Sequence, residues 1–137
     1  MKRFEILPHT ADIRIRAEGS TRPALFVAAL QGMFAASGPE SAGEEADHVS
    51  RPFKLAATDF PTLLVDLLNE AIAASDTHRE AYDDITFALV TDTKAEGAFL
   101  GAPVVGFGTQ IKAATHHDLS VRKNAEGNWE ATIVFDA

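Results

Sequence analysis

One succession occurs twice in this chain and decides most of what it can fold into. An alternating apolar run leads to a capping residue, then a proline within the first helical turn, then a long apolar stripe at helical spacing. In the first copy Ile13, Ile15 and Ala17 alternate with Asp12, Arg14 and Arg16, which is the period of two of a strand. Gly19 ends that run, Ser20 or Thr21 is placed to cap, and Pro23 is tolerated only in a helix's first turn. Leu25, Phe26, Ala29, Leu30, Met33 and Phe34 then predict a helix over about 23–37, stopped by Gly38-Pro39. In the second copy a strand near 49–57 carries Val49, Phe53 and Leu55, with Pro52 suggesting a sheet edge. Thr58 or Asp59 caps the next helix, Pro61 sits in its first turn, and Leu63, Leu64, Leu67, Leu68, Ala71 and Ile72 form its buried face. Asp66, Asn69 and Glu70 fall elsewhere around that wheel and read as an ordinary solvated face.

The rest is strand after strand. Phe4 and Ile6 flank Glu5 in a short first strand, and 38–48 is a polar, acidic surface loop. Glu44, Glu45, Asp47 and His48 in that loop are metal-ligand types, but a solvated acidic loop explains them more simply. Strands are predicted over 85–91, 99–105 (broken by Gly101 and Pro103), 110–115 and 119–123. Asn124 to Asn128 makes a hairpin turn into a last alternating strand, Trp129 to Asp136. The expected architecture is α+β: a two-layer sandwich, two helices packed on one face of a mostly antiparallel sheet. At 137 residues the chain is expected to form a single domain over 1–137.

Composition removes several function classes. No apolar run approaches a membrane span, and the basic Lys2-Arg3 start has no apolar stretch behind it to make a signal peptide. The chain has no cysteine, hence no disulfide framework and no thiolate zinc site, which fits a cytoplasmic protein. A net charge of −8 is poorly suited to holding a phosphate backbone, so strong direct nucleic-acid binding is not expected. Neither G-x-x-x-x-G-K-[ST], G-x-G-x-x-G nor G-x-S-x-G occurs, so the usual nucleotide cradles and the nucleophile elbow are missing.

What chemistry remains lies at strand ends. Asp12 enters its strand directly after Pro8-His9-Thr10, and the final strand closes on Asp136-Ala137. If those strands are neighbours, the two carboxylates and the terminal carboxylate of Ala137 form an oxygen cluster suited to Mg²⁺, Mn²⁺ or Ca²⁺. A turn residue and a solvated strand end is the plainer reading, and spacing alone favours it. His9 can approach the same ion, hydrogen-bond Asp12, or pack on the Pro8 turn. His116 and His117 are adjacent, so on a strand at most one of them faces a site. A small metal-dependent hydrolase, with Asp12 and Asp136 for metal and His117 as base, is the competing enzyme reading. It has few groups beyond that cluster to work with.

Taken in order, Phe4-Glu5-Ile6-Leu7-Pro8-His9-Thr10-Ala11-Asp12-Ile13, Ala24-Leu25-Phe26, Gly32-Met33-Phe34, Leu63-Leu64-Val65-Asp66-Leu67-Leu68-Asn69-Glu70, Ile111-Lys112-Ala113-Ala114-Thr115-His116-His117 and Val134-Phe135-Asp136 resemble the archease family. The resemblance runs end to end. It implies an α/β sandwich with no demonstrated reaction of its own, a chaperone-like accessory factor of the GTP- and manganese-dependent ligase of tRNA splicing and RNA repair. Such factors promote guanylylation of the ligase histidine and allow multiple turnover. The resemblance places divalent-metal ligands at Asp12, Asp136 and Ala137, with Ca, Mg or Mn as the cation. His9, Lys112 and His117 become supporting or partner contacts. The partner is the RNA-splicing ligase, with no membrane involved. Three positions depart from the family pattern: His116 stands where Tyr is usual, Leu67 where Trp is common, and Ala137 where a larger apolar residue is usual.

Overall fold

Both helices begin at caps the sequence announces. The Thr21 hydroxyl accepts the Ala24 N–H at 3.1 Å and opens α1 (Arg22–Ser37); the Asp59 carboxylate accepts the Thr62 N–H at 2.8 Å and opens α2 (Phe60–His78). Each ends on a left-handed residue, Gly38 (φ 60°) and Arg79 (φ 56°), whose N–H returns to the last turn. The computed structural model describes residues 1–7, 12–43 and 46–137. Within them the strands are β1 (Lys2–Leu7), β2 (Ile13–Gly19), β3 (Pro39–Ser41), β4 (Val49–Ala56), β5 (Glu80–Val90), β6 (Lys94–Phe107), β7 (Ala113–Ala114), β8 (Ser120–Lys123) and β9 (Trp129–Asp136).

The expected α+β architecture of two helices on antiparallel strands holds, and the strands divide between two sheets. One runs β1-β2-β9-β7 with β8 also on β9; the other runs β3-β6-β4 with β5 also on β6. Every pairing is antiparallel. α1 packs on β1, β2, β9 and β5, and α2 on β7, β4, β5 and β6, so each helix touches both sheets. That explains why α1 buries Val27, Ala28 and Gly32 in addition to the predicted stripe, since a helix covered from several sides needs apolar residues around most of its circumference. The predicted face of α2 is buried as expected, from Leu63 and Leu64 through Leu67 and Leu68 to Ala71 and Ile72. Among the described residues no helix is long and apolar enough to cross a membrane.

Two differences from the sequence reading have clear causes. β6 runs unbroken through Gly101, and β5 starts at Glu80, five residues before the predicted 85. β5 shifts register between Tyr82 and Asp84 and again between Phe87 and Leu89, and the residues opposite these bulges are Gly101 and Gly97. A Cβ on Gly101 would stand 1.9 Å from the Ala81 carbonyl oxygen, and one on Gly97 2.0 Å from that of Thr86. These glycines let the backbones close up, and Gly101 so continues the strand it was expected to break. A further difference is β3, three residues within the predicted 38–48 loop that pair with the far end of β6.

The early start of β5 depends on one buried acid. Glu80, 3 % exposed, accepts Arg51 Nε at 2.8 Å and Nη2 at 2.7 Å, and the Tyr82 hydroxyl at 2.9 Å. Its main-chain oxygen takes the Ser75 hydroxyl, so β4, α2 and β5 meet at this residue. The Arg51 hydrogen bonds hold the Glu80 carboxyl below its ordinary range, against the opposing effect of burial. A depressed carboxyl contributes stability above its unfolded-state range and loses it as pH falls through the folded value. Arg51→Leu is therefore expected to lower the thermal midpoint by several degrees at pH ~7, and the gap from wild type should shrink toward pH ~3 as Glu80 takes a proton. Thermal unfolding at both pH values checks this; a gap that widens in acid would show that the ion pair is not its source.

Candidate metal centre

β2 and β9 are direct neighbours, and their last core pair is Ile13 opposite Phe135. Both of these side chains are buried. Asp12 is the residue before Ile13, in a bend just outside β2, and Asp136 follows Phe135 as the last residue of β9, so both aspartates lie at the same end of the sheet. Both are exposed.

The far side of β9 is closed by β7, with Ala113 opposite Asp136 and Ala114 opposite Phe135. The Lys112 N–H donates to the Asp136 carbonyl oxygen at 2.8 Å. Asp136 also carries its exposed side-chain carboxylate, and Ala137 adds main-chain oxygen beyond it. Lys112 contributes its main chain here, and its exposed side chain forms no ion pair among the described residues.

The outward face of this sheet is otherwise a set of matched charges. Arg3 pairs with Glu18, Arg16 with Glu5, Arg122 with Glu130, and Arg14 with Asp118 at 3.3 Å. Asp12 and Asp136 have no Lys, Arg or His partner within 4.0 Å among the described residues. Two neighbouring carboxylates without a cation repel one another, and a bound dication removes that cost. Their donor atoms are all hard oxygens, the set that suits Mg²⁺, Mn²⁺ or Ca²⁺. Among the described residues no three His, Asp or Glu side chains converge on a point, so a third ligand would come from the terminal carboxylate or another main-chain oxygen. His9 lies outside the described residues, as do Glu44 and Glu45 of the acidic loop.

The two histidines diverge. His117, largely exposed, has Nε2 3.3 Å from Asp118 Oδ2, while its N–H points to the Thr115 hydroxyl. His116 lies within electrostatic reach of Asp59 at the start of α2. That carboxyl is held below its ordinary range mainly by the Thr62 hydroxyl and N–H, with His116 adding to the effect. The reversal is made by a turn in which the Leu119 N–H returns to the His116 oxygen and Asp118 adopts φ 51°, a conformation Asp tolerates better than most residues.

The sequence reading missed Asp118 and misjudged Asn69. Asn69 is a half-buried residue, and its amide makes two bonds to Ala114: Nδ2 donates to the carbonyl at 3.0 Å and Oδ1 accepts the N–H at 2.8 Å. It does not belong to a solvated helix face. The available signal was an asparagine, a poor helix former, standing within an apolar helical run.

The Archease protein family (MTH1598/TM1083) matches residues 4–137. Protein archease of Methanosarcina barkeri is 30% identical over 146 residues, covering 98% of this chain and 96% of that protein. The solution structure of Methanobacterium thermoautotrophicum protein 1598 superposes with a TM-score of 0.70 at 20% identity, covering 98% of each chain. The crystal structure of an archease from Thermotoga maritima, named a possible chaperone, gives 0.66 at 19% identity over 97% of this chain and 96% of that one. At those identities the two structures speak for the fold alone.

Proposed function

This chain belongs to the archease family, and from that premise we propose that it is an accessory protein of a GTP- and manganese-dependent RNA-splicing ligase rather than an enzyme in its own right. In this reading it promotes guanylylation of the ligase and its multiple turnover, through a divalent cation held by Asp12, Asp136 and the carboxylate of Ala137. The observation that carries the reading is the contrast on the outward face: each neighbouring acid has its arginine, whereas Asp12 and Asp136 lie at one sheet end without a cationic partner among the described residues. When bound, a dication there supplies positive charge for phosphate oxygens during nucleotidyl transfer. The chain's own part is to hold two carboxylates at an exposed edge where a basic, phosphate-binding partner surface can reach them. A net charge of −8 favours such a protein surface over RNA as the direct contact. His117 lies in an exposed turn against Asp118, and no observation favours it as the base of a stand-alone hydrolase.

The test is GTP-dependent guanylylation of the cognate ligase with and without this protein at matched Mn²⁺. The expected result is a higher guanylylated fraction and continued turnover with the protein present, and no RNA joining by the protein alone. No stimulation, under conditions where the ligase needs help, would overturn the proposed function.

A further inference from the structure

β9 is held along its length by β2 on one side. On its other side β8 covers Trp129 to Thr132, and beyond that β7 with its flanking residues Lys112 and Thr115 supports the strand's end. β7 has only two residues, and its own outer edge would present main-chain groups of the buried Ala114 to the body of the protein with nothing to bond them. A buried N–H or C=O left unpaired is costly, so such an edge needs a partner. Asn69 supplies it: one side-chain amide imitates a neighbouring strand, giving a donor to Ala114 O and an acceptor to Ala114 N. The chain of contacts then runs from α2 through Asn69 to Ala114, from Lys112 and Ala113 to Asp136, and across β9 to the Asp12 position.

We infer that Asn69 is the positioning residue of the strand-end carboxylates, fixing β7 so that Asp136 and the chain terminus are held at cation-binding distance from Asp12. This rests on the metal reading above and adds to it a residue that touches no cation itself. Residues that orient metal ligands, without being ligands, typically change affinity about 10- to 100-fold when replaced.

The experiment is titration of the full-length protein with Mn²⁺ by calorimetry, combined with amide hydrogen exchange. Asn69→Leu keeps side-chain bulk and removes both bonds; Asn69→Ala leaves room for water and serves if the leucine variant does not fold. Thr21→Ala, which removes the α1 cap far from β7, controls for lost stability alone. The expected result is Mn²⁺ binding weakened about 10-fold or more in the Asn69 variants. Exchange at the Ala114 amide should be roughly ten-fold faster in them, while Thr21→Ala should bind Mn²⁺ as wild type does. Faster exchange at Ala114 with unchanged Mn²⁺ affinity would overturn the inference and leave Asn69 a purely structural residue. Equal loss of affinity in Thr21→Ala would overturn it too. Wild type that binds no Mn²⁺ would instead bring down the metal reading, and the role of Asn69 with it.

Discussion

Asp136→Ala is expected to reduce stimulation of the cognate ligase to the level of the ligase alone, while the fold survives. The side chain is exposed at the last residue of β9, pairs with no basic group among the described residues, and packs against nothing the core requires. Substitutions of that kind usually change stability by no more than about 0.5 kcal/mol, and relief of repulsion with Asp12 acts in the stabilising direction. Function should respond very differently. Removing Asp136 leaves Asp12 as the one side-chain carboxylate of the pair, with half the side-chain charge that would hold a dication. Deleting Ala137 should do similar damage, because the terminal carboxylate then moves onto residue 136 and its distance from Asp12 changes. Guanylylation of the ligase, wild type against Asp136→Ala at matched Mn²⁺, measures the effect. Equal stimulation by the two proteins would sink the metal-cluster mechanism and leave family membership standing.

The part of this site that could be read from the sequence is the part set by local alternation. Asp12 and Asp136 each stand one residue outside an apolar core position, so once β2 and β9 pair through Ile13 and Phe135 both fall at the same end of the sheet. Both helix starts were legible for the same reason, since a capping side chain and a first-turn proline act within four residues. What could not be read depends on partners far along the chain. Glu80 looks like the end of a helix-to-strand loop until Arg51, 29 residues earlier, neutralises it and allows its burial in β5. Asn69 looks solvated until Ala114, 45 residues later, takes both ends of its amide. Gly101 reads as a strand breaker because nothing local reveals the bulge of β5 that lies against it. The engagement of Arg14 by Asp118, across 104 residues, is of the same kind, and it is what leaves the two aspartates without the nearest arginine on their face.

Leu68→Ala should have the largest effect on stability and none on the mechanism. Leu68 is fully buried within the core cluster, and truncating such a leucine costs on the order of 2–5 kcal/mol, the spread reflecting how far the cavity collapses. For a chain of this size that is a fall of roughly 10 °C or more in thermal midpoint. The next residue, Asn69, points about 100° further around the helix and bonds to β7, so two adjacent positions separate two roles. Leu68→Ala removes cohesion from the core while both bonds from Asn69 to Ala114 remain available. Well below its lowered midpoint, the variant should bind Mn²⁺ and stimulate the ligase as wild type does. Thermal unfolding gives the stability loss, and a guanylylation assay run at least 15 °C or so below the new midpoint gives the function. A Leu68→Ala protein that is folded, binds Mn²⁺ normally and still fails to stimulate the ligase would show that the buried face of α2 transmits something to the partner. A simple scaffold for two strand ends has no reason to do that.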